Sequence, residues 1–389
     1  MSETRTLVGR DTERLAPMEV TIEDGLIRDV RDLPEDEGVH EWLSPGLIDL
    51  QVNGFGPYDF NAASPTAEAV LGASRRLVAE GVTTYVPTLV TASHQAIADR
   101  LAAIVTARRS DPITAEMIPF VHLEGPHVSG EDGARGVHDR RWVRPPSLAE
   151  FDDWQAGCGG LIGMVTLSPH YEGSADYVAA LAARGIHVAI GHTHATHEQI
   201  VAAVDAGARL STHLGNGAHR LLPRHPNYIW SQLADDRLTA GFIGDGHHLP
   251  VETFVSMVRA KGLDRSVLVS DSVALDGSEP GRYRASVGGE VELAPSGALV
   301  LVGTDYLAGA VASLSCGVSK TASLLGLSAA LRLATTNPGR VIGHRGSLSA
   351  GGRADLITFG WRPGDTSLHV CDAVVAGRAV TVGGETVAF

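Results

Sequence analysis

Through the middle of this 389-residue chain, short β-branched runs alternate with amphipathic stretches, and no other feature constrains the fold as strongly. An apolar run of a few residues followed by a helix-period segment, repeated, argues for a parallel sheet with crossover helices. The runs cover residues 47–53, 83–89, 117–124, 161–168, 187–192, 209–213, 239–245 and 266–271. Helix candidates lie between most of them, at 66–79, 93–109, 147–156, 174–184, 196–206 and 251–261. Several open on a Ser or Thr that can cap the first turn, and the first has Pro65 at its start. Eight such units in roughly 280 residues is the scale of a (β/α)8 TIM barrel.

The flanks read differently. Residues 1–43 and 340–389 carry short strand-like pieces such as MEVTIEDGLIRDV and DAVVAGRAVTVGG, separated by glycine turns. The expectation is a small β-sandwich domain built from both chain termini, around a catalytic barrel at 44–339. Within the last barrel unit, residues 283–302 read as an inserted β-hairpin.

Charge narrows the range of partners. Thirty-one Lys and Arg against 45 Asp and Glu give a net charge of −14, which opposes a broad nucleic-acid or anionic-membrane footprint. Cys158, Cys316 and Cys371 are odd in number and far apart, which fits a reducing cytoplasm and no cysteine metal site. The first residues hold no apolar signal region, and no apolar run is long enough to span a membrane. With only two lysines, Lys261 and Lys320, and no Gly-Lys pair, a nucleotide-binding Walker loop is excluded.

In such a barrel the C-terminal strand ends converge on the active site. Here they carry Asp49, Gln51 and Asn53, then Thr88, Glu124, Ser168, His192 and His194, His213 and Asn216, Asp245, His247 and His248, and Asp271. One such residue alone is ordinarily a hydrogen-bonded structural group; Glu, His, His and Asp from the third, fifth, sixth and eighth strands together point to chemistry. Two imidazoles and a carboxylate on separate strands form a His2Glu set that holds one divalent metal per chain and keeps a position open. Glu124, His192 and His213 are the expected ligands. Zinc is favoured by ligand type, and iron, manganese or cobalt fit the same set. Asp271 opposite is placed to take a proton from attacking water and return it to a leaving amine, which describes metal-assisted hydrolysis. Neither lysine lies after the fourth strand, so a version with a carboxylated lysine bridging two metals is excluded.

PGLIDLQVNGFGPYDFN, HLEGPHV, GHTHAT, THLGNGA, DGHH and LVSDS, in this order, resemble the amidohydrolase superfamily and within it the N-acetylglucosamine-6-phosphate deacetylases. The resemblance runs from about Pro45 to GSLSAGGRADLITF and covers most of the chain. Its most specific element is Gln51 and Asn53 in QVNG, where most amidohydrolases carry His-x-His. The resemblance implies removal of acetyl from an N-acetylated amino sugar, a homodimer, single-metal ligation by Glu124, His192 and His213, and Asp271 as general base and then acid. It also implies that His138 of GARGVHD contacts the acetyl carbonyl, that Asn216 and Gly217 hold the substrate, and that Arg224 and His248 contact phosphate or sugar. Gln51 and Asn53 then stand behind the metal site.

Two departures bear on the substrate. The chain has Asn216, Gly217 and Ala218 where the family usually shows Asn-Ala-Met, and Ser270, Asp271 and Ser272 where Thr-Asp-Ala is common. Two other readings stay open: an amidohydrolase acting on a different N-acyl or cyclic amide without phosphate, and a non-catalytic relative, against which the intact Glu124, His192, His213 and Asp271 argue. His194 and His197 read as helix-start residues, and Trp142, Trp154 and Trp230 as packing residues.

Overall fold

The computed structural model describes residues 4–35, 38–343 and 345–386. Eight parallel strands pair in chain order: β1 (Leu47–Val52), β2 (Val82–Val90), β3 (Val121–Glu124), β4 (Ile162–Leu167), β5 (His187–Ile190), β6 (Leu210–Ser211), β7 (Thr239–Ile243) and β8 (Ser266–Val269). Just beyond their ends the last strand meets the first, through Asp271 N–H to Gln51 C=O (3.0 Å), Asn53 N–H to Ser272 C=O (2.8 Å) and a parallel bridge between Val52 and Ser272. The sheet thereby closes as a (β/α)8 barrel.

The crossover helices begin where capping residues allow. In α1 (Ala67–Ala79), α2 (His94–Ser110), α4 (Leu148–Gly157) and α6 (His197–Ala206) the side chains of Thr66, Ser93, Ser147 and Thr196 accept the first free amides. The set is completed by α5 (Ser174–Ala183), α7 (Tyr228–Ala234) and α8 (Val251–Lys261). Lys261, fully buried, caps the end of α7 by donating Nζ to the carbonyls of Gln232 (2.9 Å) and Asp235 (2.7 Å). A buried ammonium is tolerated only with such acceptors, and burial lowers this one to about 8.

Two expectations need correction. The third strand starts at Val121 and not at 117, because Pro112 at the first turn and Asp111 as cap wind 112–117 into a short helix, α3 (Pro112–Met117). The insertion is a three-stranded sheet: β9 (Gly281–Ala285) pairs with β10 (Gly289–Leu293), which forms the expected hairpin with β11 (Leu299–Leu301). Beyond it the chain forms α9 (Leu314–Leu325), α10 (Leu327–Ala334) and α11 (Thr336–Val341), which the sequence reading left unassigned.

Strands from both termini share one eight-stranded sheet: Arg5–Asp11, Pro17–Glu23, Leu26–Asp32 and Trp42–Pro45 join Leu356–Gly360, His369–Val375, Arg378–Val382 and Glu385–Thr386. Its hairpin turns at Gly25 and Gly377 touch, so tightly that a Cβ on Gly377 would lie 2.6 Å from Gly25 Cα; the sheet is bent back on itself as a sandwich. Its inner face holds a separate core of Met18, Val20, Ile22, Ile27, Leu43 and Leu356. Ile357, Phe359 and Val375 join the barrel's outer core instead.

Candidate active site

Glu124 ends β3, and His192 and His213 follow β5 and β6 by two residues each. Their ligand atoms form a small triangle: His213 Nε2 to Glu124 Oε1 2.9 Å, His192 Nε2 to the same oxygen 3.3 Å, and the two Nε2 atoms 3.2 Å apart. Ligands about 2.1 Å from a tetrahedral zinc stand about 3.4 Å from one another, so the triangle has nearly the size a metal requires. It is the one group of this kind among the described residues.

The tautomers also suit a cation. His192 Nδ1 donates to the Ala134 carbonyl (3.0 Å), which leaves the Nε2 lone pair directed inward. All three groups are buried. Burial opposes charge on Glu124, but hydrogen bonds from both imidazoles outweigh it and hold the carboxyl well below its usual range. Burial likewise opposes charge on His213, and the bond to Glu124 overcomes it and lifts the imidazole. Without a cation the carboxylate thus holds a proton on His213, which a metal bound by these groups would displace.

Gln51 and Asn53, on and just past β1, stand behind the two acids. Gln51 Nε2 donates to Glu124 Oε1 (2.8 Å) and Asn53 Nδ2 donates to Asp271 Oδ1 (2.8 Å). Asp271 is buried beside Glu124, and burial first, then repulsion from Glu124, raises its carboxyl to about 6. One of its oxygens is committed to Asn53, which leaves the other for a proton. Asp49, two residues before Gln51, accepts from the amides of Ser270 (3.1 Å) and Gln51 (3.3 Å) and so ties the first strand to the last beneath Asp271.

Three of these residues sit in left-handed backbone: His192 at φ 46°, His213 at 25° and Asp271 at 51°. Non-glycine residues there cost on the order of 1–3 kcal/mol each and persist where surrounding structure fixes them, commonly at functional sites. Asp271 is fixed by its N–H to Gln51 and by its carbonyl, which accepts from Ala310 N–H (3.0 Å).

A cavity of about 970 Å³ opens above this floor. His138 lines it, its Nδ1 on Thr91 Oγ1 (2.8 Å). Burial, reinforced by His192, pushes the imidazole down to about 3, so it is neutral at working pH. Asn216 and Gly217 line it as well, and Asn216 Nδ2 is buried without a protein acceptor. Gly217 has φ 57°, and a Cβ there would lie 2.5 Å from His192 Nδ1, so the side chain is absent for a reason. His248 faces the cavity with Nδ1 fixed by Asp245 Oδ2 (2.7 Å).

Of the residues singled out in the sequence, the structure brings together Glu124, His192, His213, Asp271, Asn53, His138, Asn216, Gly217 and His248 around the cavity, with Gln51 directly behind Glu124. Arg224 is not brought there. It is exposed in the segment between Ala218 and α7, outside the cavity lining. The cavity's cations are instead Arg135, Arg140, Arg141, Arg220 and Arg284, which the sequence reading passed over. The DRRW run directly after His138 was the available signal for two of them. His194 is no simple helix-start residue: its Nδ1 meets Ser129 Oγ at 2.6 Å, and its ring packs 4.0 Å from that of His170.

The amidohydrolase family model matches residues 42–382. The bovine N-acetylglucosamine-6-phosphate deacetylase is 34% identical over 355 residues, covering 87% of this chain and 83% of its own. The N-acetylgalactosamine-6-phosphate deacetylase of Escherichia coli O157:H7 is 30% identical over 368 residues, covering 92% and 94%. Among solved structures, an aspartate-to-alanine variant of the Mycobacterium smegmatis N-acetyl-D-glucosamine-6-phosphate deacetylase, in complex with N-acetyl-D-glucosamine-6-phosphate, superposes with a TM-score of 0.85 at 27% identity, over 98% of this chain and 100% of that one.

Proposed function

We propose, from the premise that this chain belongs to the amidohydrolase family and is a hydrolase of carbon–nitrogen bonds, that it removes the acetyl group from an N-acetylated amino sugar bearing a 6-phosphate. The observation that carries the reading is the buried Glu124, His192 and His213 triangle with Asp271 facing the same cavity. The chemistry that a divalent cation supplies in such a set, zinc being our choice, is polarisation of a carbonyl and acidification of a water.

The chain's own groups divide the rest of the work. Asp271 takes the proton of the attacking water on the oxygen that Asn53 leaves open, and then delivers it to the departing amine. His138, neutral and held at Nδ1 by Thr91, offers Nε2–H to the acetyl oxygen. Asn216 supplies an unpaired buried amide to the sugar, and His248, oriented by Asp245, a ring nitrogen. Gln51 fixes Glu124.

No helix among the described residues is long and apolar enough to cross a membrane, and the free Cys158, Cys316 and Cys371 support our assignment to the cytoplasm. We assign a homodimer on the segment that carries Arg224: Leu221 is 91% exposed there and Trp230, in α7, 53%. Arg224 then reaches substrate only in a neighbouring copy. The test of the function is acetate release from N-acetylglucosamine and N-acetylgalactosamine, each with and without a 6-phosphate. Release from a phosphorylated sugar is the expected result. Turnover confined to N-acyl amino acids or cyclic amides would refute the reading.

A further inference from the structure

We propose that His122 is a positioning residue for the metal site, the hub of a hydrogen-bonded belt inside the barrel that braces all three ligand-bearing segments at once. The inference rests on the reading of Glu124, His192 and His213 as metal ligands and goes beyond it to what holds them in place. His122 lies two residues before Glu124 on β3, and so on the same face of that strand. Its Nε2 meets Thr166 Oγ1 of β4 at 2.7 Å, and that hydroxyl meets Thr212 Oγ1, just past β6, at 2.6 Å. On its other side, Nδ1 lies 3.4 Å from Thr88 Oγ1 of β2, which accepts the amide N–H of Val52 (3.1 Å), between Gln51 and Asn53. All four side chains of the belt are buried.

The belt runs in one direction. The Thr88 hydroxyl donates to the Val86 carbonyl (3.2 Å), so the ring supplies the proton at Nδ1, which leaves Nε2 to accept from Thr166 and Thr166 to accept from Thr212. Each metal ligand has a neighbour in this chain. His122 precedes Glu124 by two residues, and Thr212 stands directly before His213. His192 is reached through Gly191, where a Cβ would lie 2.8 Å from both Thr166 Cγ2 and Thr212 Cβ. The two linked threonines therefore occupy the place of a side chain at 191, against the backbone that leads into His192. His192 and His213 hold left-handed backbone, which persists where the surroundings fix it. A belt of paired hydroxyls packed on the residues just before them is such a fixture, and a buried polar network rigidifies only while every link is satisfied. His122 itself lies outside the lining of the substrate cavity, so it acts through the ligands and not on substrate.

The experiment cuts and restores single links. Thr166→Val keeps the shape and removes the hydroxyl, and Thr166→Ser keeps the hydroxyl. His122→Leu removes both ring nitrogens, and His122→Gln retains an acceptor for Thr166. Thr114→Val is the control outside the belt, a buried threonine in α3 whose hydroxyl pairs with no described residue. Zinc affinity is measured by competition with a chromogenic chelator, melting temperature on the metal-free protein, and the visible spectrum on protein loaded with cobalt. Thr166→Val and His122→Leu are expected to lose roughly 10- to 100-fold in zinc affinity and to alter the cobalt bands. Thr166→Ser, His122→Gln and Thr114→Val should stay close to wild type in both. If His122→Leu does not fold, the Thr166 pair decides. Wild-type zinc affinity in Thr166→Val overturns the proposal, as does an equal loss in Thr166→Ser or Thr114→Val, which would reduce the effect to a loosened core. Failure of the wild type to bind zinc overturns it together with the metal-site reading. Belt-dependent zinc binding with no acetate release from N-acetylated sugar phosphates would leave the belt standing and refute the deacetylase reading.

Discussion

The floor of the cavity and its rim are built on different principles. On the floor, Glu124, His213, Asp271, Gln51 and Asn53 are buried, joined to one another by hydrogen bonds of 2.8–2.9 Å, and anchored where barrel strands end. At the rim, Arg140, Arg141 and Arg284 are exposed on a 3-10 turn and an inserted strand, and Leu221 is exposed on the loop just past the rim residue Arg220. Buried polar groups are costly unless every partner is in place, so the floor admits few alternatives. Rim charges stay hydrated, and exchanging one costs the fold little. Such a division lets one reaction be kept while its substrate changes.

If the contrast is real, substitutions should grade in effect from floor to rim. The largest effect is expected of Glu124→Gln, which sets an amide against the amide of Gln51 and removes the anionic ligand. Metal content by elemental analysis should fall to background and acetate release with it; full metal occupancy in this variant would break the comparison at its centre. Next is Asp271→Asn, which preserves shape and cannot take a proton. Its turnover should drop about 10²- to 10⁴-fold with metal retained. In the wild type, Asp271 must be ionised to act as base, so kcat/KM should decline as pH falls through its raised value of about 6, or lower where a bound cation offsets the repulsion from Glu124. A rate flat down to pH 4 would assign the proton transfer to another group.

Gly217→Ala tests the floor's packing from the side. The new Cβ would press on His192 Nδ1 in a backbone conformation that alanine resists. By analogy with other disturbances behind a metal ligand, a loss of roughly 10- to 100-fold in metal affinity or kcat is expected. The smallest effect belongs to the rim: Leu221→Asp should shift stability by no more than about 0.5 kcal/mol and leave the metal site intact. Light scattering would reveal whether it also changes the assembly. A large loss of bound metal in this variant would erase the distinction between rim and floor.

The same division explains what the sequence disclosed. Strand-end residues such as Glu124, His192 and His213 were legible because a strand's end fixes where its last side chains go, and Thr66, Ser93, Ser147 and Thr196 announced their helices as caps. Helix α3 escaped because six residues are too few to display a period. Helix α9 escaped for a different reason: its buried face carries Ser315, Ser319 and Thr321 among Leu314, Val318 and Ala322, which blurs the apolar stripe. Arg224 was drawn toward the site by motif, yet its loop holds it outside the cavity, while Arg284 approaches through a sheet read only as a hairpin. The left-handed backbone at His192, His213 and Asp271 could not be placed from the sequence, since His and Asp enter that region more readily than most residues but do so in only a minority of their positions.

The central claim is that one cation, held by Glu124, His192 and His213, serves the reaction at the floor. Its most direct test strips the protein with a chelator and restores zinc stepwise, following acetate release from N-acetylglucosamine 6-phosphate against metal bound per chain. The account predicts activity that rises in proportion and levels at one equivalent, with Glu124→Gln regaining none. Full activity in the stripped protein, or a break at two equivalents, would contradict it.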